Sequence, residues 1–362
     1  MDLIPARRAG EIFTIVTIAV AAILGANPSC ALAQAPGIRY GEVVPRDVRE
    51  IYERGLQWLV ANQTEAGDWK AGGEQGPGVT GLCLMVLLAS GEDPNFGLYS
   101  NNVRRALRNI ISGQDGATGF YGGHLGHSSM YNHGFAMLGL AEAYGAVDDR
   151  NLWAGNEQNR RSIGQSLELA VRASITSQKK NSFGGWRYSP DGNDADTSVS
   201  GAVLVGLLAA RNAGIEVPDE VIDKAINYFV KMTSPSGQVG YSGGFGGFDE
   251  SFARISIATL VYSVSRRKDL TQFKATLGYL TQRLDNVSQQ NWPEYTRYYQ
   301  AQALFQGDVE AWEKWNKLLV RHLKQVQASD GSIPGQMGAT LGTSMSCLAL
   351  ALNYRFLPIY ER

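Results

Sequence analysis

One pattern recurs along the chain and restricts what it can fold into. In RGLQWLVANQTEAGDW, Arg54 to Trp69, an amphipathic helical run ends on Gln63 and is followed by Gly67 and Trp69. Setting Gln63 over Gln114 brings Arg54-Gly55 over Arg105-Ala106, and Gly67-Asp68-Trp69 near Gly119-Phe120-Tyr121. Gln178 with Gly185-Trp186 marks a third copy, and Lys224 to Phe229 with Thr233 in the Gln place marks a fourth. Lys274 to Leu280 is a fifth, and Trp315 to Gln327 followed by Asp330-Gly331-Ser332 is a sixth. A spacing of roughly 45 to 65 residues is that of a two-helix unit.

Each copy continues into an apolar run with small residues at helical spacing, such as VTGLCLMVLLASG, TSVSGAVLVGLLAARNAG and GTSMSCLALALNY. These runs are apolar on nearly every side and should be buried, whereas the preceding helices carry charge on one face. No segment alternates with period two between hairpin turns, which excludes a sheet domain. Six hairpins with a buried second helix predict an all-α (α/α)6 toroid. Its inner helices should start near Gly78, Tyr131, Thr197, Phe252, Tyr295 and Leu341, all at one mouth. In this reading Gln63 and its counterparts bond free carbonyls at the helix end or the next hairpin. The Trp seals the seam, and Gly supplies the positive φ that leaves the helix.

Arg54-Gly55-x-x-Trp58-Leu59-x-x-x-Gln63 with Gly67-x-Trp69 resembles the QW motif of squalene and terpenoid cyclases. The segment 34–362 resembles the prenyltransferase and squalene-oxidase repeat proteins. The resemblance implies the same toroid, a central cavity and an apolar, lipid-type small-molecule ligand. Asp194-Ala195-Asp196-Thr197 resembles the Asp-x-Asp-Asp motif whose middle acid protonates the substrate of class II cyclases, with Thr197 replacing the last Asp. Asp194 and Asp196 are therefore the candidate catalytic pair. A donor of this kind must stay protonated in a dry cavity. The residues equally allow Asp196 or Thr197 to be the N-cap of the helix that follows.

Polar residues just before the apolar runs should converge at the mouth, where helix N-termini favour anionic groups. His124, His127, Tyr131, His133, Tyr241, Arg254 and Tyr298 form the candidate ligand-binding set, with Glu74, Asp249, Glu250, Glu294 and Arg297 nearby in the pattern. Tyr131-Asn132-His133-Gly134 resembles the zinc-binding segment of protein prenyltransferases, with Asp194 and Asp196 as the remaining donors in place of a missing Asp-x-Cys. The alternative is a histidine that hydrogen-bonds in the core. No metal or other cofactor is assigned. Gly72-Gly73-Glu74-Gln75 resembles a thioester motif but has Gly where the Cys must be, and Ser128, Ser129 and Ser198 lack a Gly-x-Ser-x-Gly elbow.

Charge and the N-terminus set the remaining bounds. The net charge is -1, and no Lys/Arg block points to nucleic acid. Arg7-Arg8, the apolar run IFTIVTIAVAAILGA and Ala31-x-Ala33 read as a signal peptide over residues 1–33, which places the remainder in the periplasm or outside the cell. Peripheral membrane contact is compatible with that. Beyond residue 33 only Cys83 and Cys347 remain, too few for a disulfide scaffold. They fall on helices expected to be neighbours, either bridged or as two buried thiols. Three functions fit: a cyclase-like enzyme or binder acting on apolar ligands, a non-catalytic binding or scaffold toroid, and a carbohydrate-active toroid using paired carboxylates such as Asp249 and Glu294.

Overall fold

The computed structural model describes residues 44–70, 75–150, 152–153, 161–243, 248, 250–285 and 291–358. The expected signal peptide, Glu74 and Asp249 lie outside the described residues. Among those residues the chain forms twelve α-helices in six hairpins. The first three are α1 (Arg46–Asn62) with α2 (Pro77–Leu88), α3 (Ser100–Ser112) with α4 (Ser129–Ala143), and α5 (Ile163–Gln178) with α6 (Thr197–Asn212). The others are α7 (Asp219–Met232) with α8 (Phe252–Val264), α9 (Thr271–Thr281) with α10 (Pro293–Gly307), and α11 (Val309–Val326) with α12 (Ala339–Ala351). The even-numbered helices start within two residues of the expected positions.

Hydrophobic pattern decides the layer of each helix. In α6 every residue from Val199 to Ala210 is buried, whereas α3 buries only one face, including Val103, Leu107, Ile110 and Ile111. The six even helices pack on one another in chain order, and α12 packs on α2, so the inner ring closes. The odd helices surround it, with α11 against α1. The chain is an (α/α)6 toroid. Among the described residues no helix is long and apolar enough to cross a membrane.

The repeated Gln and Gly build the seams between hairpins. Gln63 Nε2 donates both to Gly67 O of its own exit turn (3.1 Å) and to Asn102 O in the first turn of α3 (3.0 Å). Gln114 does the same toward Gly119 and Ser166, and Gln178 toward Gly184 and Val221. Gln327 closes the ring by donating to Gly331 O and to Ile51 O of α1, 2.9 Å each. The basic residue of the motif reads the same seam from the other side: Arg54 Nη2 donates to Ala328 O of the sixth turn (2.6 Å), and Arg105 Nη2 to Gln63 Oε1 (2.9 Å). Gly67 has φ +91°, and a Cβ there would lie 2.2 Å from Arg105 O, so backbone conformation and close approach both demand glycine. The indoles add a bond of their own. Trp69 and Trp186 donate to Leu59 O (2.7 Å) and Ser174 O (2.9 Å), tying each exit turn back onto its own outer helix.

Gly55 is small for a separate reason. A Cβ there would lie 2.6 Å from Cys347 Sγ, so α12 approaches α1 only because that atom is missing. Cys347 turns toward α1 while Cys83 bonds Ser344, and both thiols are buried and free. Their helices are neighbours as expected, and burial pushes the Cys347 thiol up to about 12.

The seams yield a stability prediction. Gln178 is buried, and removing its amide leaves carbonyls of Gly184 and Val221 short of a donor. Gln178→Ala should cost about 1–3 kcal/mol in urea denaturation. Gln57→Ala, on the exposed face of α1, should stay within about 0.5 kcal/mol of wild type. Equal effects of the two substitutions would contradict the seam role.

Candidate functional site

The inner helices all begin at one end of the ring, and their first turns surround a funnel of about 1480 Å³. Val79, Tyr131, Ser198, Phe252, Tyr295 and Leu341 each supply the wall from a different inner helix. Leu82, Phe135 and Met345, one turn deeper, make an apolar floor. Polar groups of the wall are fixed by helix starts. Asn132 Oδ1 accepts from Gly78 N (2.8 Å), meeting one of the free N–H groups of α2 while its own helix passes the mouth. Trp292 immediately precedes Pro293 with φ 55° and ψ 60°, a left-handed conformation unusual for a bulky residue, and its ring stands half-exposed at the rim. Its N–H donates to Gln336 Oε1 (3.2 Å), which helps hold that backbone.

Five of the seven expected ligand-binding residues meet in the funnel. His124 and His127 are exposed on the rim, with His127 edge-on to Tyr188 at 5.2 Å. Tyr131 and Tyr241 are wall residues, and the buried Arg254 guanidinium lies 5.9 Å from the Tyr241 ring.

His133 and Tyr298 do not reach it. His133 points from α4 to α5 with no exposed surface: Nδ1 accepts from Tyr121 N (3.2 Å), and Nε2 lies 3.1 Å from Ala170 O and 3.0 Å from Ser174 Oγ. A carbonyl only accepts, so Nε2 carries the proton, and burial lowers the imidazole to about 4. His133 thus does for Tyr121 what Ser200 Oγ does for Trp186 N (2.8 Å) and Thr343 Oγ1 for Ile333 N (2.9 Å). The zinc alternative fails on this geometry. Among the described residues no three His, Cys, Asp or Glu side chains group as metal ligands. Tyr298 sits in the core against Phe135 (6.1 Å) and Tyr299 (4.9 Å). Glu294 is not in the lining, its Oε1 accepting from Met337 N (2.6 Å), and its expected partner Asp249 lies outside the described residues.

Of the two readings of Asp194-x-Asp196, the cap is the one the structure shows. Asp196 is the N-cap of α6, its Oδ1 accepting from Val199 N at 2.8 Å. It is also fully buried, and that desolvation raises its carboxyl to about 6 against the cap bond and Arg187, which oppose the shift. Oδ2 has no hydrogen-bond partner. Asp194 is half-buried, 3.6 Å from Arg187 Nε. Arg187 itself lies over two wall tyrosines, 4.8 Å from the Tyr188 ring centroid and 5.4 Å from that of Tyr241, and the two hydroxyls hydrogen-bond to each other. Asp196 is fully buried and absent from the lining that Tyr131, Tyr241 and Tyr295 share, so the acid stands behind the wall.

Sequence reasoning missed Arg187, Tyr188, Trp292 and Tyr295 as site residues. A signal for Tyr188 was present: it lies two residues beyond Trp186, as Tyr241 lies two beyond Val239, the equivalent position of the next repeat.

No protein-family profile matches the chain. No curated protein sequence matches it either. Solved structures do match. An inactive variant of an α-1,6-mannanase from Salegentibacter sp., in complex with α-1,6-mannotriose, superposes with TM-score 0.60 at 12% identity over 84% of this chain and 99% of that one. An α-amylase from Clostridium perfringens gives 0.57 at 11% identity over 85% and 98%. A type II terpene cyclase from Scytonema, in complex with geranylgeranyl dihydroxybenzoate, gives 0.52 at 14% identity over 86% and 98%. At such identities these likenesses define the fold, a toroid shared by glycoside hydrolases and a terpene cyclase.

A pH prediction follows from Asp196. Its folded-state value near 6 stands above the ordinary 3.8, so the folded protein binds the extra proton. Stability is therefore fully present below about pH 4 and declines as pH rises to about 6, by at most about 3 kcal/mol. Asp196→Asn keeps the cap and removes the titration. Relative to wild type, the variant should gain stability between pH 4 and 7 in urea denaturation. Parallel pH profiles would contradict this.

Proposed function

We propose that the protein is an exported toroid that binds an oligosaccharide in the funnel at its inner-helix starts. The observation carrying this reading is the character of the wall. Trp292, Tyr131, Tyr188, Tyr241 and Tyr295 share the wall with Ser198, Asn132 and His127 around an opening to solvent. Sugar rings offer apolar faces to stack and hydroxyls to pair, which suits such a surface. The mannanase and amylase likenesses support the same ligand class.

Hydrolysis by two carboxylates asks for a second acid beside the first. Among the described residues Glu250 is the one carboxylate in the wall, and its Oε1 accepts from Tyr279 O–H. Asp249, next to Glu250, lies outside the described residues, and the reading proposed is binding.

A second reading has its own observation. Asp196 is a buried acid of raised pKa in the place of the proton-donating residue of class II cyclases, beside a partly apolar cavity. Acid-initiated cyclisation of an isoprenoid would use it as the donor. That Asp196 stands behind the wall rather than in it ranks this reading second.

Calorimetric titration with α-1,6-mannotriose and mannotetraose tests the choice. Saturable binding is expected, weakened about tenfold, or 1.4 kcal/mol, by Trp292→Ala. Absence of oligosaccharide binding, together with binding of a geranylgeranyl-bearing ligand, would replace the first reading with the second.

A further inference from the structure

Two unsatisfied atoms face each other behind the funnel wall. Asp196 Oδ2 and Arg187 Nη1 are both buried without a hydrogen-bond partner, and they lie 3.7 Å apart. That separation is too long for a hydrogen bond between them. Leaving a buried acceptor and a buried donor unmet is costly, so their surroundings hold them apart or a third group bridges them.

What holds them apart is visible. Asp196 is fixed by its cap bond to Val199 N, and its own N–H donates to Trp186 O at 3.0 Å. Arg187 is fixed by the Tyr188 and Tyr241 rings and by Asp194. With those contacts in place the two atoms stand 3.7 Å apart. A single oxygen set to one side of the pair, about 2.8 Å from each atom, bridges them, provided that oxygen donates one hydrogen bond and accepts another. A carboxylate, a carbonyl or an ammonium group fails on one count; a hydroxyl meets both.

Access runs through the wall. Tyr188 and Tyr241 come from adjacent repeats, both line the funnel, their rings cover Arg187, and their hydroxyls bond to each other. A ligand with neighbouring hydroxyls can replace that one bond with its own while sending a hydroxyl inward.

We propose that the gap between Asp196 and Arg187 is a hydroxyl subsite latched by the Tyr188–Tyr241 pair, taking one hydroxyl of a sugar or other vicinal polyol that donates to Asp196 Oδ2 and accepts from Arg187 Nη1. This deepens the oligosaccharide reading by naming the contact that selects hydroxylated ligands over hydrocarbons. It rests on that reading for its natural ligand, but its test does not.

The test is a set of crystal structures of the wild type, Tyr241→Phe and Asp196→Asn, each grown without additive and then soaked in glycerol and in α-1,6-mannotriose. In the wild type a glycerol hydroxyl is expected within hydrogen-bond distance of both atoms. Occupancy should rise in Tyr241→Phe, which cannot form the latch bond. It should be lost in Asp196→Asn when the amide turns a donor toward Arg187, while the cap persists. A direct Asp196–Arg187 hydrogen bond, or a water that glycerol displaces in neither the wild type nor Tyr241→Phe, would overturn the subsite. Glycerol in the gap without any bound mannotriose would remove the oligosaccharide reading and leave the subsite standing. Mannotriose in the funnel with the gap undisturbed would do the reverse.

Discussion

The side-chain amide of a glutamine at the end of an outer helix is the contact on which the ring depends. Gln63, Gln114, Gln178 and Gln327 each hold their own exit turn and the start of the following outer helix with one nitrogen. A shorter side chain cannot span the two carbonyls. Thr233, the fourth counterpart, bonds instead to Phe229 O and Tyr262 O–H, so the fourth seam relies on glycine packing, with Gly237 against Ala275 O. Because the sixth amide reaches α1, the same local bond that joins neighbours also closes the ring.

Closing the ring this way aligns six inner-helix N-termini at one mouth, and the mouth inherits their chemistry. Free N–H groups and partial positive charge concentrate there, and the chain answers with caps: Asn132 for α2, Asp196 for α6 and Ser251 for α8. Asp196 is the exceptional cap, since Ser or Asn would serve without burying an ionisable group. Its second oxygen, its raised pKa and the clamped Arg187 are the costs a mere cap does not require. Unmet polar atoms of this kind, one layer behind a cavity wall, are the ground for the proposed subsite.

The fold was legible because its signals are local and repeated. Helical period, small residues and the Gln-Gly-Trp exit recur often enough that boundaries fell within two residues. The site was legible only in part, for geometric reasons. His133 looked like a member of a histidine group with His124 and His127, but two residues beyond Tyr131 on a helix is the opposite face, and it points outward to α5. Tyr298 lies one turn deeper than Tyr295 and falls below the funnel. Arg187, Tyr188 and Trp292 sit on exit turns and helix entrances, where no periodicity signals which way a side chain faces. The pairing of Tyr188 with Tyr241 depends on two seams meeting, which repeat alignment shows only once the ring is known.

If the glutamine bridge closes the ring, cutting it at one seam must loosen both hairpins it joins. Hydrogen exchange on Gln327→Ala measures this directly. The account predicts faster amide exchange in the turn at 328–333 and in α1, on the other side of the seam, with α6 and α7 protected as in wild type. Faster exchange confined to the 328–333 turn, with α1 unchanged, would contradict it.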